Sequence, residues 1–208
     1  MASTLRLDTI KALIEHANTI ADVGCDHAII AKYCIDSGLA EKVIASDISD
    51  KCLDKARKLL GDNNRVDFKR CDGLDYICDE AVIAGMGGLL IKRILLNARS
   101  LPKTLIVCPH RDCDEVRKTL LSLGYGITDD IDITERAKFY SVIRAKFGEG
   151  ERDLDELQLL FGINVKIPNT TLQARLNKLY DMYMIAPRQN EDKLRTVIAA
   201  MSLQGMKH

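Results

Sequence analysis

Between residues 19 and 124, short apolar runs alternate with helical segments that stop at glycine, and few folds accommodate that rhythm. Residues 19–24, 42–47, 66–71, 80–84 and 104–108 read as strands, and 28–37, 50–60, 89–98 and 112–123 as helices. Gly38, Gly61 and Gly124 follow three of these helices directly, as helix-stop signals do. Strand and helix in alternation imply a parallel α/β sheet with right-handed crossovers. Residues 127–134 and 139–147 then read as two strands with no helix between them, which predicts an antiparallel pair at the sheet edge. By fold analogy, a terminal antiparallel hairpin favours the Rossmann-like class I methyltransferase sheet over the dehydrogenase version. An amphipathic helix through Leu5, Leu7, Ile10, Leu13 and Ile14 precedes the first strand.

From about residue 151 the pattern changes. Leu154, Leu157 and Leu160 predict a short helix ending near Gly162, and Asn169 or Thr170 caps the next one. Leu172, Leu176, Leu179, Tyr183 and Ala186 recur by fours and threes, which is coiled-coil spacing. Pro187 breaks that helix, and Leu194, Val197, Ile198 and Met201 form a second apolar face, so an antiparallel helical hairpin is expected. The 208 residues suit one α/β domain plus an appendage, and 47% hydrophobic with 29% charged residues argues against disorder. No run of eighteen apolar residues predicts a membrane span, and residues 1–8 lack the apolar core of a signal peptide. Seven cysteines scattered singly from Cys25 to Cys113 suit a reduced, cytoplasmic protein. Cys108-Pro109-His110-Arg111-Asp112-Cys113 holds two cysteines and a histidine as potential metal ligands but no second ligand pair, so no metal is expected.

The densest chemistry lies in Ala21-Asp22-Val23-Gly24-Cys25-Asp26-His27-Ala28, where the first strand turns into a helix. Gly24 permits a tight turn with close ligand approach, and the helix start offers free N–H groups. One glycine stands where a dinucleotide loop needs three, and Asp26 would repel a pyrophosphate while suiting a cation such as the methionine part of S-adenosylmethionine. Asp22, Asp47 and Asp72 end three successive strands at one carboxyl edge. Asp47 could accept both ribose hydroxyls and Asp72 an adenine amino group, or each could simply cap the next turn. Ile83-Ala84-Gly85-Met86-Gly87-Gly88 marks either a close approach to a ligand or a plain turn into the next helix. His27 and His110 sit beside these turns and are either structural or functional, whereas His16 and His208 suggest no role. Basic residues outnumber acidic ones by seven to three both in 92–118 and in 164–208, which suits either an RNA grip or ordinary solvated faces.

Asp22-x-Gly24-x-Asp26-His27-Ala28, Ile83-Ala84-Gly85-Met86-Gly87-Gly88 and Glu156-Leu157-x-x-x-Phe161-Gly162 together resemble the bacterial tRNA (adenine-22-N1)-methyltransferase family, over nearly the whole chain. The resemblance implies an S-adenosylmethionine-dependent methyltransferase domain over 1–150 and a helical tRNA-binding arm over 151–208. It also implies methyl transfer to N1 of an adenine in tRNA. Candidate catalytic residues are Asp26, His27 and Met86. Candidate cofactor contacts are Asp22, Gly24, Cys25, Asp47, Ile48, Asp72, Gly73, Gly85 and Gly87, and candidate substrate contacts are His110, Arg93, Arg111, Arg175 and Lys178. Family members show Gln-Pro-Asn where this chain has Cys108-Pro109-His110, which would pass that asparagine's task to His110. Other readings are a methyltransferase acting on a different RNA or a small molecule, a NAD-dependent oxidoreductase, and a non-catalytic RNA-binding module.

Overall fold

A computed structural model describes residues 4–207; residues 1–3 and His208 lie outside it. Seven strands form one sheet: Ala17–Val23 (β1), Ala40–Asp47 (β2), Val66–Arg70 (β3), Glu80–Ala84 (β4), Thr104–Cys108 (β5), Tyr125–Glu135 (β6) and Lys138–Phe147 (β7). Their order is β3-β2-β1-β4-β5-β7-β6. The first five are mutually parallel, while β7 runs antiparallel to both β5 and β6. The edge hairpin predicted from sequence is therefore present. The connections leave β1 in one direction toward β2 and β3 and in the other toward β4. That reversal opens a crevice at the carboxyl edge, where ligands of open α/β sheets bind.

Leu5–Leu13 (α1), Ile29–Asp36 (α2), Asp50–Leu60 (α3), Gly88–Leu96 (α4) and Cys113–Ser122 (α5) flank the sheet. Strand residues alternate between two cores, as expected when both faces are covered. Ile20, Val82 and Ile106 pack with α1 and α2, whereas Ala21, Ile83, Leu105 and Val107 pack with α4 and α5. No helix joins β3 to β4; Leu74, Tyr76 and Cys78 are buried at alternate positions of that connection instead. The hairpin strands run longer than their apolar residues suggest, meeting at a two-residue turn of Arg136 (φ 49°) and Ala137 (φ 60°). Left-handed residues at both central positions match the twist of a tight hairpin, but Arg-Ala carries none of the usual Asn-Gly signal.

Glu156–Phe161 (α6), Thr170–Met184 (α7) and Glu191–Leu203 (α8) build the arm around Phe161, Val165, Leu172, Leu176, Val197 and Met201. The start of α7 is tied to the end of α8, since Asn169 N–H donates to Gln204 Oε1 at 2.7 Å, so the two helices are antiparallel. Asp155 and Gln158 form a reciprocal capping box at the start of α6. One buried ion pair fastens this unit to the sheet. Arg117 of α5 is fully buried and donates to both carboxylate oxygens of Asp130 on β6, at 2.8 and 2.9 Å. Its third nitrogen donates to Leu159 O, and Asp130 Oδ2 also accepts the N–H of Ile163.

Arg117→Met leaves the Asp130 carboxylate buried without its partner. A loss of about 3–5 kcal/mol is expected in urea unfolding, with faster proteolysis near residues 151–164. A loss below about 1 kcal/mol would show that the pair does not hold the arm.

Candidate active site at the carboxyl edge

The turn after β1 is stitched to β2, because Gly24 and Cys25 both donate to Ser46 O at 2.8 and 3.0 Å. Gly24 has φ 69°, a conformation that favours glycine, and a Cβ there would stand 2.7 Å from Met86 Cε, so Met86 lies against the turn. Asp26 (φ 41°) and Ala28 (φ 50°) are left-handed as well. Non-glycine residues adopt that conformation at a cost, and such strain clusters at binding sites. Of these three, sequence marked only Gly24 as a residue for a tight turn.

The carboxylates hold this loop in shape. Asp22 is buried beneath it, and its Oδ2 accepts the N–H of Ala31 at 3.1 Å. It thereby caps α2, whose own cap position, Ala28, has no side chain able to do so. Burial pushes the Asp22 carboxyl up to about 7, the Ala31 bond partly opposes this, and the charge of Asp47 adds to it. Asp47 accepts from Ser49 N at 2.8 Å and from Asp26 N at 3.3 Å. It thus orders its own turn, and a carboxylate with two acceptor bonds still has lone pairs to offer. Ile48 stands exposed beside it, while Cys25 is buried and its thiol is pushed up, chiefly by that burial. Asp26 bonds Lys55 at 2.7 Å and lies 3.5 Å from His27 Nε2. The Lys55 bond, more than any other contact, holds the Asp26 carboxyl below its ordinary value. Lys55 had no sequence signal, because it reaches this loop from α3.

Asp72 and Arg93, assigned separately to cofactor and substrate, meet each other at 3.0 and 3.2 Å. Gly73 (φ 101°) has Ile94 against it, 3.2 Å from where a Cβ would be, so it serves the packing of α4. The glycine turn after β4 is joined to the turn after β5: His110 N donates to Met86 O at 2.9 Å and Gly88 N to Arg111 O at 3.0 Å. Gly85 (φ 84°) has open space where a side chain would be, and Gly87 faces Arg111. His110 Nε2 lies 3.1 Å from Arg6 Nη1, and its ring meets Tyr140 edge-on. An arginine only donates, so Nε2 accepts and the imidazole is neutral with its proton on Nδ1. Partial burial, then Arg6 and Lys138, lower its proton affinity. Neither Arg6 nor Tyr140 was marked by any motif.

Several of the bases in 92–118 have acidic partners: Lys92 and Lys118 pair with Glu115, Lys103 with Glu149 and Arg93 with Asp72, while Arg117 is buried against Asp130. Arg111 stays largely exposed, 3.6 Å from Asp112. Arg175 is half-buried against Asp132 and Leu160 O, whereas Lys178 is exposed with one 3.5 Å bond to Ala137 O. Cys108 is buried at the end of β5, its thiol pushed up to about 12 by that burial. Among the described residues no helix is long and apolar enough to cross a membrane, and no three His, Cys, Asp or Glu side chains group as a metal cage.

Comparison with known proteins agrees with this geometry. The profile of the methyltransferase domain family matches residues 3–143. The Bacillus subtilis (strain 168) tRNA (adenine(22)-N(1))-methyltransferase is 30% identical over 170 residues, 77% of this chain and 71% of that protein. The crystal structure of the B. subtilis m1A22 tRNA methyltransferase superposes with a TM-score of 0.79 at 26% identity, covering 98% of this chain and 97% of that one. That of M. capricolum TrmK with S-adenosylhomocysteine shares the fold, with a TM-score of 0.86 at 22% identity over 98% and 99% of the two chains. With its switch-point crevice, edge hairpin and helical arm, this chain belongs to the tRNA (adenine-22-N1)-methyltransferase family.

Proposed function

We propose that this chain transfers the methyl group of S-adenosylmethionine to N1 of adenine 22 in tRNA, working in the cytoplasm beside its substrate. The observation that carries this is the crevice at the β1–β4 switch point. Gly24, Asp47 and the Gly85–Gly87 turn converge there, in a chain whose relative at 30% identity is named for that reaction. The residues present fit such a cofactor. The Gly85 turn has open space where a side chain would stand, and the donors around the crevice are carboxylates rather than the anion-binding glycines of a dinucleotide loop. S-adenosylmethionine, when bound, supplies an electrophilic methyl group on a positively charged sulfur.

Asp47 would hold the ribose hydroxyls, with Ile48 against the purine and Asp72, shared with Arg93, toward the amino group. Cys25, Gly73 and Asp22 would shape the floor rather than make polar contacts. The N1 atom of adenine already carries a lone pair, so no strong base is needed and the work is alignment and exclusion of water. The adenine must leave its stack or pair to arrive. Gly85 and Gly87 give it backbone clearance beside Met86. Asp26, kept ionised by Lys55 and flanked by His27, would accept a hydrogen bond from the adenine amino group and offset the positive charge gained on methylation. Neutral His110 would present its Nδ1 proton to the base, and Arg111, Arg175 and Lys178 would face the RNA backbone.

Incubation with labelled cofactor and total tRNA, followed by nucleotide mapping, is expected to give 1-methyladenosine at position 22. Label at another position, or none, would overturn the assignment. In the same assay Asp26→Ala should lower kcat more than tenfold, about 1.4 kcal/mol in the barrier, while calorimetry shows unchanged affinity for S-adenosylhomocysteine. Turnover kept within tenfold would remove Asp26 from the mechanism.

Asp22 gives a pH signature. Its carboxyl, raised to about 7 in the free protein, is partly protonated just below neutrality. A cation arriving nearby favours the charged form and lowers that value. Cofactor uptake near pH 6.5 is therefore expected to release a proton, and affinity to tighten as pH rises from about 6 to 8 and then level off. Calorimetry in two buffers of different ionisation enthalpy reads the proton directly. The Asp22→Asn variant should show a flat profile, and a flat profile in the unaltered protein would refute the coupling.

A further inference from the structure

We propose that the groove between the β6–β7 hairpin and α7 seats one unpaired nucleotide adjoining the methylated adenine, its base against Phe139 and Tyr140 and its phosphate between Lys138 and Lys178. This rests on the function proposed above and adds a second reading position to it.

Two crevices of about 430 and 460 Å³ lie on the arm side of His110, and their charges separate them. The first is lined by Asp112, Asp114, Glu156 and Asp192 against three cationic side chains, so a phosphate gains little there. The second has Lys138, Arg175 and Lys178 in its lining and no carboxylate. Nucleic-acid affinity comes largely from cations meeting phosphates, so the strand follows the second crevice. Its other walls include Phe139, Tyr140, Leu179 and Met182, a surface suited to the face of any base.

Two of these cations, Lys138 and Lys178, are free to respond. Lys178 Nζ stands 5.8 Å over the Phe139 ring and makes one long bond to Ala137 O. Lys138 is exposed at the mouth, next to the left-handed Arg136–Ala137 turn. Arg175, held by Asp132 and Leu160 O, serves as wall rather than as a mobile contact.

Position selects the neighbour over the target. Continuing the β5–β7 register, in which Val107 faces Ile143, sets His110 opposite Tyr140, and the two rings are in contact. The groove thus begins at β7, two inter-strand spacings or roughly 10 Å from the β4 turn where the methyl group is delivered. A base in the groove lies too far away to be methylated, yet it is near enough to belong to the next nucleotide. His110, clamped by Arg6 and Tyr140, forms the partition between the two positions.

The test uses the full chain saturated with S-adenosylhomocysteine and binds fluorescent tRNA transcripts, either intact or abasic at position 21 or 23. In the unaltered protein, one of the two abasic sites should raise Kd about tenfold. In Leu179→Trp, which fills the groove, intact tRNA should bind about tenfold more weakly and the same abasic site should add less than twofold. Should Leu179→Trp fail to bind S-adenosylhomocysteine and so prove misfolded, Lys138→Glu with Lys178→Glu, both on the exposed rim, replaces it with the same expectation. No loss from either abasic site, or an equal loss in variant and parent, overturns the groove. Binding here requires no turnover, so the methylation map judges the function proposed above separately.

Discussion

A guanidinium and a carboxylate sealed from water between the sheet edge and the arm hold the rest of the molecule in register. Arg117 and Asp130 make a two-bond fork, and each spends its remaining capacity on the backbone of the segment around α6, through Leu159 O and Ile163 N. A buried ion pair is a poor source of net stability, because removing both charges from water costs as much as their attraction returns. Its value is specificity. Only one placement of α6 satisfies all these atoms, so the arm is set at a defined angle to β6 and β7, and the crevices beside His110 inherit their shape from that placement.

Carboxylates dominate the opposite side of the same sheet end, and each has a different task set by its surroundings. Asp22 is dry and structural, Asp47 is half-exposed and shapes its own turn, and Asp26 lies outermost with Lys55 and His27 as company. A one-glycine turn with three acids around it would be a poor cradle for pyrophosphate and a good one for a sulfonium nucleoside. The backbone pays for this with two left-handed non-glycine residues, Asp26 and Ala28, held in place by the bonds from Gly24 and Cys25 to Ser46.

Much of this was legible in the residues themselves. The alternation of apolar runs with glycine-stopped helices specified the parallel sheet, and two strands in succession specified the antiparallel edge. Periodicity in Leu172, Leu176 and Leu179 specified α7. Three things were not legible, for one shared reason: they depend on contacts between distant segments. Arg117 counts as a surface base until α5 is packed on β6. Asp72 and Arg93 look like separate binding residues until α4 brings them together. Arg6, on the opening helix, becomes a partner of His110 only because α1 lies over the β5 and β7 ends, a separation of 104 residues along the chain.

A strand-borne carboxylate that caps α2 ties ligand recognition to helix integrity. Since the N–H of Ala31 ends on Asp22, the Gly24 turn, proposed above to meet the ligand, cannot swing open without fraying the first turn of that helix. On that reading the crevice is pre-shaped, little ordering entropy would remain to be lost when it fills, and selectivity at this end would come from a rigid mould rather than a closing flap.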